Sequence, residues 1–452
     1  MLIKSFPRLI AQIVESFDEM EERNACLTST LEAVVKACAI DHDERDYDFY
    51  GYPYDYLLKT YFNHFTSASI AFRTDPSIIG LFVRCLEAIQ PLKCPRFVFG
   101  WFNIVGSDEF MTKMLDYPDE KVAVRLRAVY ARLLLGHIQF MQPFLRDINV
   151  KYPAMQKLNH GTNRVMCIIS RAYPTVFCEF HHSFCDIIPS NCFHMRTFVL
   201  AAMPAEISGI GIDPYDLLTT HIELMKKDPV VSSIEQEKFT KDSNFLQHKV
   251  ELDNYLANRT QVNYLSQLRS ILKINNEKRN KYNITTLNAI VLYVGIEAIK
   301  FHRSKEQEID FSTIGVTSYM DVLQNLAVQF CNEGRYLLFN AMANQLRYPN
   351  SQTNYFSMAL LYIFRESTSE HIQEQIVRTL FERAICRSPH PWGVVNTLAH
   401  LVTDEQYAFW THEFANCASE FSGLFQQVRN TTGQRRLQSM TETASIAADA
   451  PN

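Results

Sequence analysis

Leu346–Phe364 reads LRYPNSQTNYFSMALLYIF, and its two halves carry different instructions. Pro349 cannot continue a helix, because its ring removes a backbone N–H and crowds the preceding turn. Asn350 and Ser351 have the short polar side chains that cap helix N-termini. Behind them Phe356, Leu360 and Phe364, with Leu361 beside them, recur at the spacing of one helical face. The stretch is a joint: one helix stops at Pro349, and another begins just after it with an apolar stripe to bury.

The same stripe recurs along the chain. Leu9, Ile10, Ile13, Val14 and Phe17 share a helical face, as do Leu27, Leu31, Val34, Val35 and Cys38. Val322, Leu323, Leu326, Ala327 and Phe330 form another, and Ile372, Ile376, Leu380 and Ala384 a fourth. Each stripe needs a neighbouring helix to cover it. Ser367 and Glu370 have capping-box spacing ahead of the Ile372 stripe. Pro389 and Pro391 suit the entry to a helix at Trp392-Gly393-Val394. RFVFGWFNIV (Arg96–Val105) is rich in β-formers but fits a buried helix equally well, and no run alternates as a strand would.

The fold expected is therefore all-α, with HEAT-like helical hairpins stacked into an α-solenoid in two sub-stacks; a globular helical bundle is the structural alternative. Residues 1–203 form the first stack and 250–430 the second. Between them, 204–249 contains ISGIGIDP and KKDPVVSSIEQEKFTKDS and reads as an irregular connection. A second break is the acidic, tyrosine-rich IDHDERDYDFYGYPYDY (Ile40–Tyr56). Residues 431–452 have little to bury and read as a disordered tail.

Composition removes several classes. At 47% apolar and 12% aromatic the 452 residues can bury a large core, while 14 Gly and 17 Pro are few for a β-sandwich or a glycine-rich nucleotide fold. A net charge of −5 argues against broad capture of phosphate backbones. Eleven irregularly spaced cysteines, and an N-terminus whose charges rule out a signal peptide, point to a reducing compartment. The apolar run Leu287–Ile299 is short for a membrane span and carries Glu297. A soluble intracellular protein is expected.

Chemistry-bearing clusters are few. In FCEFHHSFCDIIPSNCFHM (Phe177–Met195), Cys178, His181 or His182, and Cys185 would share a helical face, with Cys192 and His194 nearby. These are ligand types for zinc, but the spacing matches no compact zinc signature and five apolar side chains wrap the segment, so core packing is the preferred reading. The acidic residues Asp41, Asp43, Glu44, Asp46, Asp48 and Asp55 are able to ligate Mg²⁺, yet charge runs in loops are usually solvated. The interleaved Tyr47, Phe49, Tyr50, Tyr52, Tyr54 and Tyr56 suit a partner surface or a loop pinned to the core. His412-Glu413 is followed by Asn416 where a zinc-protease helix needs histidine, and Gly209-Ile-Gly211 lacks the third glycine of a dinucleotide loop. No residue is assigned a catalytic role, and no cofactor is implied.

Five phrases carry a family resemblance: RYPNSQTNYFSMALLYIF (Arg347–Phe364), RSPHPWG (Arg387–Gly393), FWTHEF (Phe409–Phe414), NAIVLYVG (Asn288–Gly295) and FCDIIPSNC (Phe184–Cys192). Together they resemble the C-terminal domain of the largest, Not-family scaffold subunit of the Ccr–Not mRNA deadenylase complex, in the same order from about residue 30 to about residue 430. The resemblance implies a stack of HEAT-like hairpins that anchors the two Not-box subunits, over whose surface their extended N-terminal regions run. It implies a role in mRNA decay and translational repression by holding other proteins, in the cytoplasm, including mRNA-processing bodies, and in the nucleus. Translational repressor peptides are further partners of this kind. Family scaffolds are several times longer, so Met1 falls inside what would be their C-terminal region. The match is weakest over Pro204–Lys249.

Binding chemistry adds a partner-contact expectation at Arg347, Tyr348, Asn350, Asn354, Tyr355, His390 and Trp392, since arginine and aromatic residues at turns suit binding hot spots. No membrane partner is expected, and direct contact with nucleic acid is left open. The alternatives to a scaffold are an RNA-binding helical-repeat protein and a metal-dependent nuclease using Asp41 and Asp43.

Overall fold

The structure, a computed structural model, describes residues 2–67, 76–146, 152–208, 222–259, 262–273, 282–384, 390–417 and 422–430. Helices form nearly all of it. Among the described residues the only sheet-like pairing is an isolated bridge between Lys273 and Tyr282. RFVFGWFNIV becomes a short 3₁₀ turn followed by helix Val98–Val105. The expected tail, 431–452, lies outside the described residues.

Two compact units result: Met1–Ile169 with Ile187–Pro189, and Ser170–Asp186 with Ser190–Asn452. The division therefore falls earlier than the expected junction after residue 203. The reason is helix Pro174–Ile187, whose buried side chains and carbonyls bond to residues far along the second unit. The expected irregular connection instead holds helices Ser233–Lys241 and Ser243–Asn258, while its residues 209–221 are outside the described set.

In the first unit, helix Leu2–Glu15 packs on Tyr52–Ser67, Met20–Arg45 on Pro76–Ala88, and Asp108–Leu115 on Glu120–Arg146. Leu27, Leu31, Val34 and Cys38 line the buried face of helix Met20–Arg45 as their spacing predicts, with His42 one turn further on. Trp101 is enclosed, and its indole N–H donates to the Leu86 carbonyl at 2.8 Å. The first helix departs from expectation. Pro7, Ala11 and Val14 face inward, whereas Phe6, Leu9 and Ile13 face water. The apolar face of that helix is broad, running from Leu9 round to Ala11, and the edge carrying small Ala11 is the one set against its neighbour.

In the second unit, helix Ile284–Ser304 forms the axis, touching helices Ser318–Gln329, Asn332–Ala343 and Ser351–Glu366. At 21 residues it is long and apolar enough to cross a membrane, longer than the run read from sequence, but most of it is buried inside the protein. Two glycines permit close crossings. A Cβ on Gly295 would lie 2.3 Å from Cζ of Phe356, and one on Gly393 would lie 2.6 Å from the Thr353 methyl. The Val322 and Ile372 stripes are buried except at Ala384. Ser367 does not make the expected capping box: the helix begins at Glu370, and the Ser367 hydroxyl accepts from the Ser369 N–H at 3.2 Å instead.

Candidate functional site

The turn quoted at the outset is an interior joint. Asn350 caps helix Ser351–Glu366, its side-chain oxygen accepting from the Thr353 N–H at 2.8 Å and its amide donating to the Tyr348 carbonyl at 3.0 Å. Arg347 is 1% exposed. Its guanidinium donates to the Cys178 carbonyl at 2.8 Å and to Gln352 Oε1 at 3.3 Å, and lies 4.9 Å from the Tyr348 ring centre. Its own carbonyl accepts from the Gly393 N–H at 2.5 Å, which ties the joint to helix Trp392–Thr403. Tyr348, Tyr355 and Trp392 are buried as well, so of the residues expected at a partner surface only Asn350, Asn354 and His390 retain partial exposure. Arginine at this turn bridges a backbone carbonyl and a side-chain amide oxygen, a use that exposure-based reasoning does not anticipate.

A second buried arginine lay beneath the resolution of sequence reading. Arg383, on helix Glu370–Ala384, donates to the Asn340 carbonyl and to the side-chain oxygens of Asn340 and Asn344, at 2.9, 3.0 and 2.7 Å. Arg196 donates to the same Asn344 oxygen at 3.2 Å. Burial, then the neighbouring Arg196 charge, pulls Arg383 down to about 9, which leaves it cationic at neutral pH. An arginine on an amphipathic helix reads as solvent-facing; here it staples two helices.

The cysteine- and histidine-rich helix Pro174–Ile187 is buried along most of its length. Burial pushes the Cys178 thiol up to about 12 and also raises Cys185, so both sit in the core as neutral thiols. His181 is held well below the usual imidazole range by burial, then by the Arg347 charge, and its Nε2 lies 3.3 Å from Gln345 Oε1. His182 points elsewhere. Its Nε2 lies 3.3 Å from the Asn288 carbonyl, and its Nδ1 lies 3.6 Å from Asp186 and 3.5 Å from Glu235. Among the described residues these three form the only group of metal-capable side chains whose ligand atoms lie within 4.8 Å of one another.

The acidic segment does not converge. Asp41 pairs with Arg45, Asp43 with His42, Asp46 with Arg96, and Asp55 accepts from Asn103 at 2.9 Å. The aromatics split into two roles. Phe49 is pinned, stacked on Tyr54 and edge-on to Phe97, while Tyr47, Tyr50 and Tyr52 stand in water, Tyr47 at 92% exposure. His412 stacks on Phe414 with 5.1 Å between ring centres and has a packing role. A cavity of about 190 Å³ opens between helices Met20–Arg45 and Pro76–Ala88, lined by Leu31, Val35, Leu81 and Cys85 with exposed Glu32 and Arg84 beside them. The first unit thus carries uncovered apolar surface, and the second carries buried polar machinery.

The family model described as "CCR4-Not complex component, Not1" matches residues 62–429. The chain is 38% identical over 439 residues to the CCR4-NOT transcription complex subunit let-711 of Caenorhabditis elegans, covering 95% of this chain and 16% of that protein. It is 26% identical over 389 residues to General negative regulator of transcription subunit 1 of Saccharomyces cerevisiae, covering 81% of this chain and 18% of that one. The chain therefore spans less than a fifth of the curated relatives it matches. The NOT1 superfamily homology domain from Chaetomium thermophilum superposes with a TM-score of 0.81 at 23% identity, covering 94% of this chain and 82% of that one. A structure described as the Not1 C-terminal domain in complex with Not4 gives 0.72 at 24% identity, with 88% and 82% covered. At these identities the structural likeness speaks for the all-α fold.

Proposed function

The chain belongs to the Not1 family of CCR4-Not complex components, and from that premise we propose that it is a non-catalytic scaffold domain. It anchors the two Not-box subunits by holding their extended N-terminal regions and Not-box domains, and so supports mRNA deadenylation, decay and translational repression. Its place of action on this reading is the cytoplasm, including mRNA-processing bodies, and the nucleus. Translational repressor peptides are partners of the same kind.

The observation that carries the reading is the apolar surface left in water on the first unit. Phe6, Leu9 and Ile13 on the first helix, and Tyr47, Tyr50 and Tyr52, are large side chains exposed in clusters. Contiguous exposed apolar surface is what a partner segment covers, with a few anchors dominating affinity. The side chains that looked chemical are engaged internally: Asp41, Asp43 and Asp46 each have a cationic or imidazole partner, and Arg347 and Arg383 bridge helices.

The test is a pulldown of the pure chain with the N-terminal regions of the Not-box subunits. Tyr47→Ser with Tyr50→Ser, or Leu9→Ser, should weaken retention by about tenfold while leaving circular dichroism unchanged, because these side chains support no core. Failure of the unaltered chain to retain either subunit would overturn the proposal. So would Mg²⁺-dependent shortening of poly(A) by the pure chain that Asp41→Ala or Asp43→Ala abolishes.

A further inference from the structure

His182 and Asp186 stand one turn apart on helix Pro174–Ile187, and Glu235 faces them from helix Ser233–Lys241. All three side chains are buried, exposed by 5% or less. Their surroundings are assembled asymmetrically. Lys238 Nζ lies 2.6 Å from Asp186 Oδ2 and 3.2 Å from Glu235 Oε1, and the Ser183 hydroxyl donates to that same Glu235 oxygen. The Asn288 side-chain amide donates to Asp186 Oδ1 at 2.6 Å. On the other side, His182 Nδ1 and Glu235 Oε2 have no hydrogen-bond partner.

The tautomer follows from what His182 faces. Nε2 lies against the Asn288 carbonyl, which only accepts, so Nε2 carries a hydrogen. A neutral ring then aims the Nδ1 lone pair at two carboxylate oxygens, 3.5 and 3.6 Å away. That arrangement is repulsive unless a proton or a metal cation lies between them. Ligands held about 2.0–2.2 Å from a tetrahedral ion are themselves separated by roughly 3.3–3.6 Å, which these edges match.

We propose that His182 Nδ1, Asp186 Oδ1 and Glu235 Oε2 form a binding site for a Zn²⁺-like divalent transition-metal ion that braces these two helices. One histidine and two carboxylates form a borderline-hard donor set suited to such an ion, with a fourth position for water. The supporting contacts are those such sites use: the remaining imidazole N–H donates to a backbone carbonyl, and each carboxylate is oriented by a donor. Two carboxylates against one ammonium leave a net negative charge, which favours a dication despite the adjacent Lys238. The cysteines of this helix take no part.

The experiment uses the full chain, stripped with chelator, dialysed and titrated with Co²⁺ and then Zn²⁺. Expected are uptake of about one equivalent, a visible absorption of four-coordinate intensity, displacement of Co²⁺ by Zn²⁺, and a melting temperature raised by a few degrees. His182→Gln and Glu235→Gln should each abolish uptake, the latter keeping an acceptor for Ser183. Three results would overturn the proposal: no uptake by the unaltered chain with excess metal near pH 7.5, as expected if a proton on Nδ1 fills the gap; undiminished uptake by both variants; or a near-ultraviolet thiolate-to-cobalt band. The spectrum of the unaltered chain decides the first and third without any variant.

Discussion

Replacing Gly295 by alanine tests the crossing at the centre of the second unit. Alanine is the better helix former by about 1 kcal/mol, so on an open helix the change would stabilise. Here the new methyl would lie 2.3 Å from Cζ and 2.4 Å from Cε2 of Phe356, whose ring is fully enclosed. Carbon atoms pack best at roughly 3.5–4.0 Å, so more than about 1 Å of separation must be created inside a filled core. Overpacking of this kind costs about 1–3 kcal/mol, which offsets the helix gain at its lower end and exceeds it elsewhere. The expected result is a net loss of about 0–2 kcal/mol.

Phe356→Leu removes the ring atoms that the methyl meets. In that background Gly295→Ala should become neutral or stabilising, giving a double-mutant coupling on the order of 2 kcal/mol. Urea unfolding followed by circular dichroism and tryptophan fluorescence reads both numbers from shifts in midpoint. A midpoint raised by Gly295→Ala alone, or lowered equally in both backgrounds, would refute the reasoning.

His137 is sealed in the first unit, its ring 4.3 Å from that of Phe102 between centres, and burial pulls its pKa down to about 3. The unfolded chain takes up a proton near pH 6.5 while the folded one does not, so stability falls as the pH drops below that value. His137→Phe should remove about 2 kcal/mol of the loss seen between pH 7.5 and pH 5, and an unchanged pH slope in urea midpoints would contradict this assignment. Asn350→Ala deletes the cap at the joint and should cost about 1–2 kcal/mol, whereas Asn350→Asp, which keeps the acceptor facing the Thr353 N–H, should recover most of it; equal losses in thermal unfolding would count against the cap.

The helices were legible because their period belongs to the backbone. Leu27, Leu31, Val34 and Cys38, or Phe356, Leu360 and Phe364, repeat where one face must be covered, and that face is covered. The Asn350 cap was legible for the same reason, since its partner is three residues away. Arg347, Tyr355 and Trp392 were read as surface because their chemistry is amphipathic, and nothing local reveals that the acceptor for Arg347 is a carbonyl on helix Pro174–Ile187. On the first helix the stripe was found but its direction was not: the apolar face is broad, and the position of Ala11 decides which edge of it approaches a neighbour. Of the His182 group, the helical pair lay within one turn, but Glu235 came from a segment whose weak periodicity disguised a helix.

The bond from Arg347 to the Cys178 carbonyl spans 169 positions of the chain. It bears on the order in which the protein is made. The joint is synthesised long after the helix that satisfies it, and contacts of such separation are slow to close. Helix Pro174–Ile187 must therefore wait, with apolar surface uncovered, until the later helices emerge. A fragment beginning after residue 203 would leave the Arg347 guanidinium buried without its principal acceptor and should be recovered mainly as aggregate, whereas one beginning at Ser170 carries that acceptor with it.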